Sequence, residues 1–279
     1  MAIQGMAFLP ADVYVNAGDT VKWVANAAEI HTVTFLATGQ TLKPFNPADA
    51  TQSGPVGSTS YDGVSYYNSG LFATGDSSLP TSYSLTFPNV GDFTYYCLVH
   101  GNMMKGVVHV AAAGSTYKYT QADYDAQAAA GAASIIADGT ALTAKKALAA
   151  NDHTVFEGAD DGVAMVMRFI QPNVTVHVGE SVKFINDGMG APHTVTFGTP
   201  VGNPTAPAGD PTNFTGGYLN SGFAVPGTSF TVTFNKAGTF NYVCILHAGM
   251  GMVGSVTVLP AEATAAPATP VKANASFTG

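Results

Sequence analysis

The sequence is poor in charge, in cysteine and in long apolar runs. Only 10% of its 279 residues are Asp, Glu, Lys or Arg, where soluble domains average about 25%. The 10 Lys and Arg are outnumbered by 18 Asp and Glu, giving a formal net charge of −8. Nucleic-acid binding needs clustered cations to neutralise phosphates, so this balance argues against it. No run of about 18 apolar residues occurs, and no transmembrane helix is expected. The opening MAIQGMAFLP has neither the basic n-region nor the apolar h-region of a secretion signal. Two cysteines, Cys97 and Cys244, allow one disulfide at most. Scarce charge together with 46% hydrophobic residues is the reverse of a disordered composition.

What is abundant is turn and strand material. There are 31 Gly and 16 Pro, among many Thr, Val, Phe and Tyr, a turn-rich β composition. The length suits one large domain or two of about 100–200 residues, and self-similarity decides for two. DVYVNAGDTVKWV (12–24) resembles NVTVHVGESVKFI (173–185), and HTVTF at 31–35 returns at 193–197. NSG at 68–70 returns at 220–222, and SYSLTF (82–87) corresponds to SFTVTF (229–234). The HTVTF blocks stand 162 residues apart but the cysteines 147, so the first copy carries 15 extra residues. They fall in the Gly/Pro/Ser/Asn-rich stretch 38–80, a loop by composition.

Within each copy, short runs alternate apolar and polar residues around Gly-Asp or Gly-Glu turns, the mark of half-buried antiparallel strands. About seven such runs per copy predict an all-β fold of two Greek-key β-sandwiches. The expected organisation is a first sandwich at 1–112, an Ala-rich, partly helical linker at 113–160, a second sandwich at 161–260 and an Ala/Pro/Thr tail at 261–279. In the linker, Thr120 and Asp123 offer an N-cap signal, and Gly139 predicts a break between two short helices.

The chemistry sits in one recurring constellation. Cys244, His247 and Met252 follow the strand TFNYV, with His193 far upstream; Cys97, His100 and Met104 follow FTYY, with His31 upstream. A thiolate, two imidazoles and a thioether form an uncommon donor set. Soft sulfur favours Cu(I), imidazole suits Cu(II), and a trigonal His2Cys site with a distant axial Met is the blue-copper arrangement. Zinc would want further Cys or His ligands at short recurring spacing, and none is nearby. A Cys97–Cys244 disulfide would require equivalent loops of two domains to touch. The axial residue of the first copy is ambiguous: counting from His100 selects Met103, counting back from the next strand selects Met104. Strand parity favours Met104, which alternates with Val108 and Val110 as Met252 does with Val256 and Val258.

On PHTVTF with CILHAGMGMVGSVTV, and HTVTF with CLVHGNMMKGVVHV, each copy resembles the plastocyanin-like cupredoxins, which include amicyanin, pseudoazurin and halocyanin. The resemblance covers about 1–112 and 161–260 and implies electron transfer by two copper ions per chain. It also implies redox protein partners and an exported, periplasmic or extracellular location. It departs at Ile30, where the second copy has Pro192, and at Leu98 and Ile245, where many members carry Ser or Thr. Paired cupredoxin domains also build nitrite reductases and two-domain laccases. Those enzymes place a His next to the ligand Cys, whereas here Tyr96 and Val243 precede the cysteines. Four of seven histidines belong to the two sets, leaving His109, His153 and His177, too few for a trinuclear cluster. The sequence therefore reads as an electron carrier rather than an enzyme, with a nitrite-reductase-like enzyme or a copper storage or delivery protein as alternatives.

Overall fold

In TVKWV, every second residue is large and apolar, so a strand there puts Val21 and Trp23 on one face and Lys22 on the other. The computed structural model, which describes residues 3–201 and 205–261, has this strand at Thr20–Val24, and its burial alternates accordingly. It pairs antiparallel with Ser82–Thr86 as one small sheet of the first sandwich. The other sheet has six strands, in the order Asp12–Asn16, Gly101–Ala111, Gly91–Cys97, Thr34–Phe35, Tyr67–Ser69 and Pro55–Val56. All its pairings are antiparallel except the first, Asp12–Asn16 with Gly101–Ala111, which is parallel. Trp23, Phe35, Phe87 and Tyr95 pack edge-to-face or tilted against one another between the sheets.

The second sandwich repeats this with a fuller second layer. One sheet runs Asn173–His177, Val253–Leu259, Gly238–Val243, Thr196–Phe197, Leu219–Asn220. The other runs Ile3–Gly5, Ala164–Ile170, Thr154–Asp160, Ser181–Asn186, Thr228–Thr233. Two strands of that layer depart from the sequence reading. Residues 154–160, which composition assigns to the linker, form a strand buried on both faces. Val155 faces the sandwich core and Phe156 the opposite side, so no polar alternation marks it. Ile3–Gly5, expected within the first sandwich at 1–112, instead pairs with Ala164–Ile170 in the second sandwich's sheet.

The linker carries one helix, Gln121–Ala147, rather than two broken at Gly139. Thr120 and Asp123 form a capping box at its start, and Lys145 and Lys146 lie in its last turn, where they oppose the helix dipole. Gly139 is a contact point and not a break. A Cβ there would lie 2.6 Å from Ile3 Cγ2, so only glycine lets the helix approach the N-terminal strand this closely. The helix covers the outer face of the five-stranded layer, where Leu142 and Ile3 pack with Phe156, Val166 and Ile170. The Lys146–Asp187 ion pair ties its end to the second sandwich. The tail expected at 261–279 lies, from residue 262 onward, outside the described residues.

Candidate metal centres

One device sets the ligand loops in both copies. The Tyr95 hydroxyl donates to the Ala11 carbonyl (3.0 Å), and the Tyr242 hydroxyl to that of Pro172 (2.7 Å). The phenol end of each ring meets a glycine, Gly106 or Gly254, where any Cβ would sit 2.5 Å from the tyrosine hydroxyl oxygen. This locks the strand ending at the cysteine against the strand that leaves the loop, two residues before each Cys. The register Tyr95–Gly106 and Tyr242–Gly254 places Met104 and Met252 at equivalent positions, both buried. Met103 is 36% exposed and lies against the other domain, 3.3 Å from where a Gly190 Cβ would stand.

The histidines and cysteines of each set converge. In the first domain Cys97 Sγ is 3.9 Å from His31 Nδ1 and 3.3 Å from His100 Nδ1. In the second, Cys244 Sγ is 3.9 Å from His193 Nδ1 and 3.4 Å from His247 Nδ1. All six residues are buried, and the donor atoms of each trio lie within 4.8 Å of one another. Among the described residues, these are the two groups of His, Cys, Asp or Glu that gather so closely. His109, His153 and His177 are elsewhere: His109 contacts Asp92 at 2.7 Å, His153 the Ser181 carbonyl at 3.0 Å, and His177 Glu180 at 3.6 Å.

Residues that the sequence reading did not single out hold the thiols in place. The Thr32 and Thr194 amides each donate to the sulfur at 3.4 Å. The same threonines accept, at Oγ1, the amide of the residue after each cysteine, Leu98 at 2.7 Å and Ile245 at 2.9 Å. Their hydroxyls continue to Thr34 and Asn68, or Thr196 and Asn220. Recurrence of HTVTF and NSG was the available signal: it preserved the threonines and asparagines along with the ligand histidine.

Electrostatics define what each pocket can hold. Burial lowers His31 and His193 to about 3, with the neighbouring histidine adding to the effect, and burial lowers His100 and His247 to about 4. The imidazoles are therefore neutral at pH 7, with lone pairs available. Burial raises both thiols, against the pull of backbone and Thr donors. A cation between the donors reverses that balance, because thiolate ligation displaces the thiol proton. A closed pocket of two neutral imidazoles and one thiol, with a buried thioether on the same core, suits a borderline-to-soft metal.

Such a fold and donor set define a mononuclear metal centre in a β-sandwich, built twice. The chain belongs to the family described as copper binding proteins, plastocyanin/azurin family, which it matches over residues 1–111 and 154–259. It is 40% identical over 111 residues to a chloroplastic plastocyanin of Physcomitrium patens, spanning 39% of this chain and 59% of that protein. It is 37% identical over 153 residues to that of Tetradesmus obliquus, spanning 53% of this chain and 93% of that one. Among solved structures it is similar to an amicyanin variant with Cu(I), at 24% identity and TM-score 0.27 over 38% of this chain and 80% of that one. Reduced auracyanin from Roseiflexus castenholzii is similar at 19% identity and TM-score 0.29 over 40% of this chain and 100% of that one.

Proposed function

We propose that the chain is an electron carrier with two type 1 copper centres, one per sandwich, each cycling between Cu(I) and Cu(II). The observation that carries this reading is the duplicated convergence of two buried imidazole Nδ1 atoms on one buried, amide-backed sulfur. His31, Cys97, His100 and Met104 would hold one ion, and His193, Cys244, His247 and Met252 the other. Bound copper supplies a one-electron couple. The chain's part is to keep the donors nearly fixed in both oxidation states. The Tyr–carbonyl lock, the Thr acceptor and the strand ladder restrain the loop, and burial excludes water from the thiol. Redox proteins are the partners of such a site. No described helix is long and apolar enough to cross a membrane. An exported location, periplasmic or extracellular, fits the chemistry and the sparse charge.

Copper analysis with an optical and EPR spectrum of the oxidised protein tests this reading. Two coppers per chain with intense thiolate-to-copper absorption are expected. One copper, or a colourless Cu(II) signal of equal weight, overturns it. Sustained turnover of nitrite or dioxygen by pure, copper-replete protein would favour an enzyme instead.

A further inference from the structure

Convergence of the Nδ1 atoms on sulfur turns the opposite ring edges outward. For His247, the loop histidine of the second domain, that edge does not reach solvent: its side chain is 7% exposed. It meets the first domain. Nε2 of His247 is 3.7 Å from Oε2 of Glu29, a contact longer than a hydrogen bond, and the Glu29 side chain is itself 15% exposed. Glu29 stands two residues before His31, the upstream histidine of the first centre, which pairs with Phe72 as an isolated bridge. Both ligand loops border this junction. Met103 of the first lies against Gly190, and a cleft of about 770 Å³ between the domains is lined by His31 and Met104 on one side and Gly249 and Met250 on the other. The Ile3–Gly5 strand and the linker helix fix the domains together. Among the described residues, no carboxylate stands within ion-pair distance of His100, the equivalent of His247, so the contact is specific to one direction of the pair.

Burying a carboxylate at a domain junction is costly unless it meets a compensating group. A carboxylate packed against the outer edge of a ligand histidine limits how that ring can turn and places the two domains' groups in contact. Here that carboxylate also belongs to the loop that carries the other centre's histidine. We propose that the two centres of one chain exchange electrons through the Glu29–His247 contact, with the first domain serving as the docked redox partner of the second. This rests on the reading of both clusters as copper electron-transfer centres. One electron passes: the donor centre goes from Cu(I) to Cu(II) and the acceptor from Cu(II) to Cu(I). No bond forms or breaks and no proton crosses. Glu29 acts as a positioning residue. The reach of the intervening bonds and the two-residue step from Glu29 to His31 sets the centres no more than about 25 Å apart.

Two measurements on copper-loaded full-length protein test the proposal. Pulsed dipolar EPR on the doubly oxidised form should give a single narrow copper–copper distance within that bound. A longer or broad distribution overturns the docked geometry. Photoreduction with less than one electron per chain should then be followed by redistribution between the centres at a rate independent of protein concentration. Glu29→Ala should slow that redistribution several-fold while both type 1 spectra remain, and Glu29→Gln should restore most of it. A rate proportional to protein concentration, or no effect of Glu29→Ala, overturns the relay while two type 1 spectra keep the carrier reading. Failure to obtain two type 1 spectra overturns both.

Discussion

The two sandwiches hold nearly the same donor geometry on different amounts of scaffold. Sulfur-to-nitrogen distances are 3.9 and 3.3 Å in the first domain and 3.9 and 3.4 Å in the second. Yet the first has a two-stranded second layer and the second a five-stranded one. The first also carries its 15 extra residues within 38–80, a stretch that the Asn68 side-chain amide anchors by donating to the carbonyls of Thr51, Gln52 and Gly54. The donor cluster therefore depends on the layer the domains share: the cysteine strand, the strand leaving the loop, and the short HTVTF strand. The other layer sets stability and how the domains meet. Separating these two dependences is what the following experiments do.

Losing a thiol has the largest expected effect. A serine hydroxyl does not replace the thiolate as donor, so Cys97→Ser and Cys244→Ser should each remove one copper and the charge-transfer band of its own domain. Because the two geometries agree so closely and the two sites lie in separate cores, each variant should retain about half the absorption. If either variant lost both centres, the domains would not be separable at the level of the site. Absorption spectra with metal analysis decide this.

The next largest effect concerns the second layer. Glu157 lies on the core side of its strand, fully buried, and neither carboxylate oxygen has a partner. Burial raises it from 4.5 to about 8. The folded state therefore binds a proton that the unfolded state has released between those pH values. Its contribution to stability falls as pH rises through that window, by up to about 5 kcal/mol. The four buried histidines act with the opposite sign at lower pH, costing stability as pH falls below 6.5. Calorimetry on metal-free Glu157→Leu, compared with the parent, isolates the carboxylate. The second domain's transition should rise at pH 8 and stay nearly unchanged at pH 4, while the first domain's transition does not move. Equal shifts in both would mean that the domains unfold as one unit.

A subtler test concerns the ligand loops, which differ in length by one residue. In a Cys244→Ser background only the first centre is observed. Met104→Leu should shift its potential and spectrum at a stability cost below about 1.5 kcal/mol, since the volumes are similar. Met103→Leu should leave both unchanged, because that side chain lies half-exposed against the second domain. The reverse result would displace the register by one residue and make the two loops unlike at the metal.

Much of the site could be read from the chain because its parts are local: C-x2-H and HT recur as short words, and a strand fixes each word's geometry. The six histidines and cysteines do come together. The second layer was less legible. Val155, Phe156 and Glu157 are all buried, so the strand at Thr154–Asp160 lacks the polar alternation that identifies a one-sided strand. Pairing of Ile3–Gly5 with a strand some 160 residues later has no local signature at all. Thr32 and Thr194 were visible as repeats, but their roles depend on amides brought to them from the cysteine loops.

Gly139 gives the smallest expected effect and the most direct probe of how the layers are joined. On helix propensity alone, Gly139→Ala should stabilise the linker helix by about 1 kcal/mol. The new Cβ, however, would stand 2.6 Å from Ile3 Cγ2 and 3.1 Å from its Cδ1. Relieving that overlap costs about 1–3 kcal/mol where neighbours are held, and less where they can move. Ile3 sits on a three-residue edge strand that gives way more easily than an interior one. Net destabilisation of about 1 kcal/mol is expected, together with faster amide exchange at Ile3–Gly5 and no change in either optical spectrum. An Ile3→Ala, Gly139→Ala double variant should recover most of the loss to overlap. If Gly139→Ala instead stabilised the protein with Ile3–Gly5 still protected, the helix would stand farther from the strand than it does here.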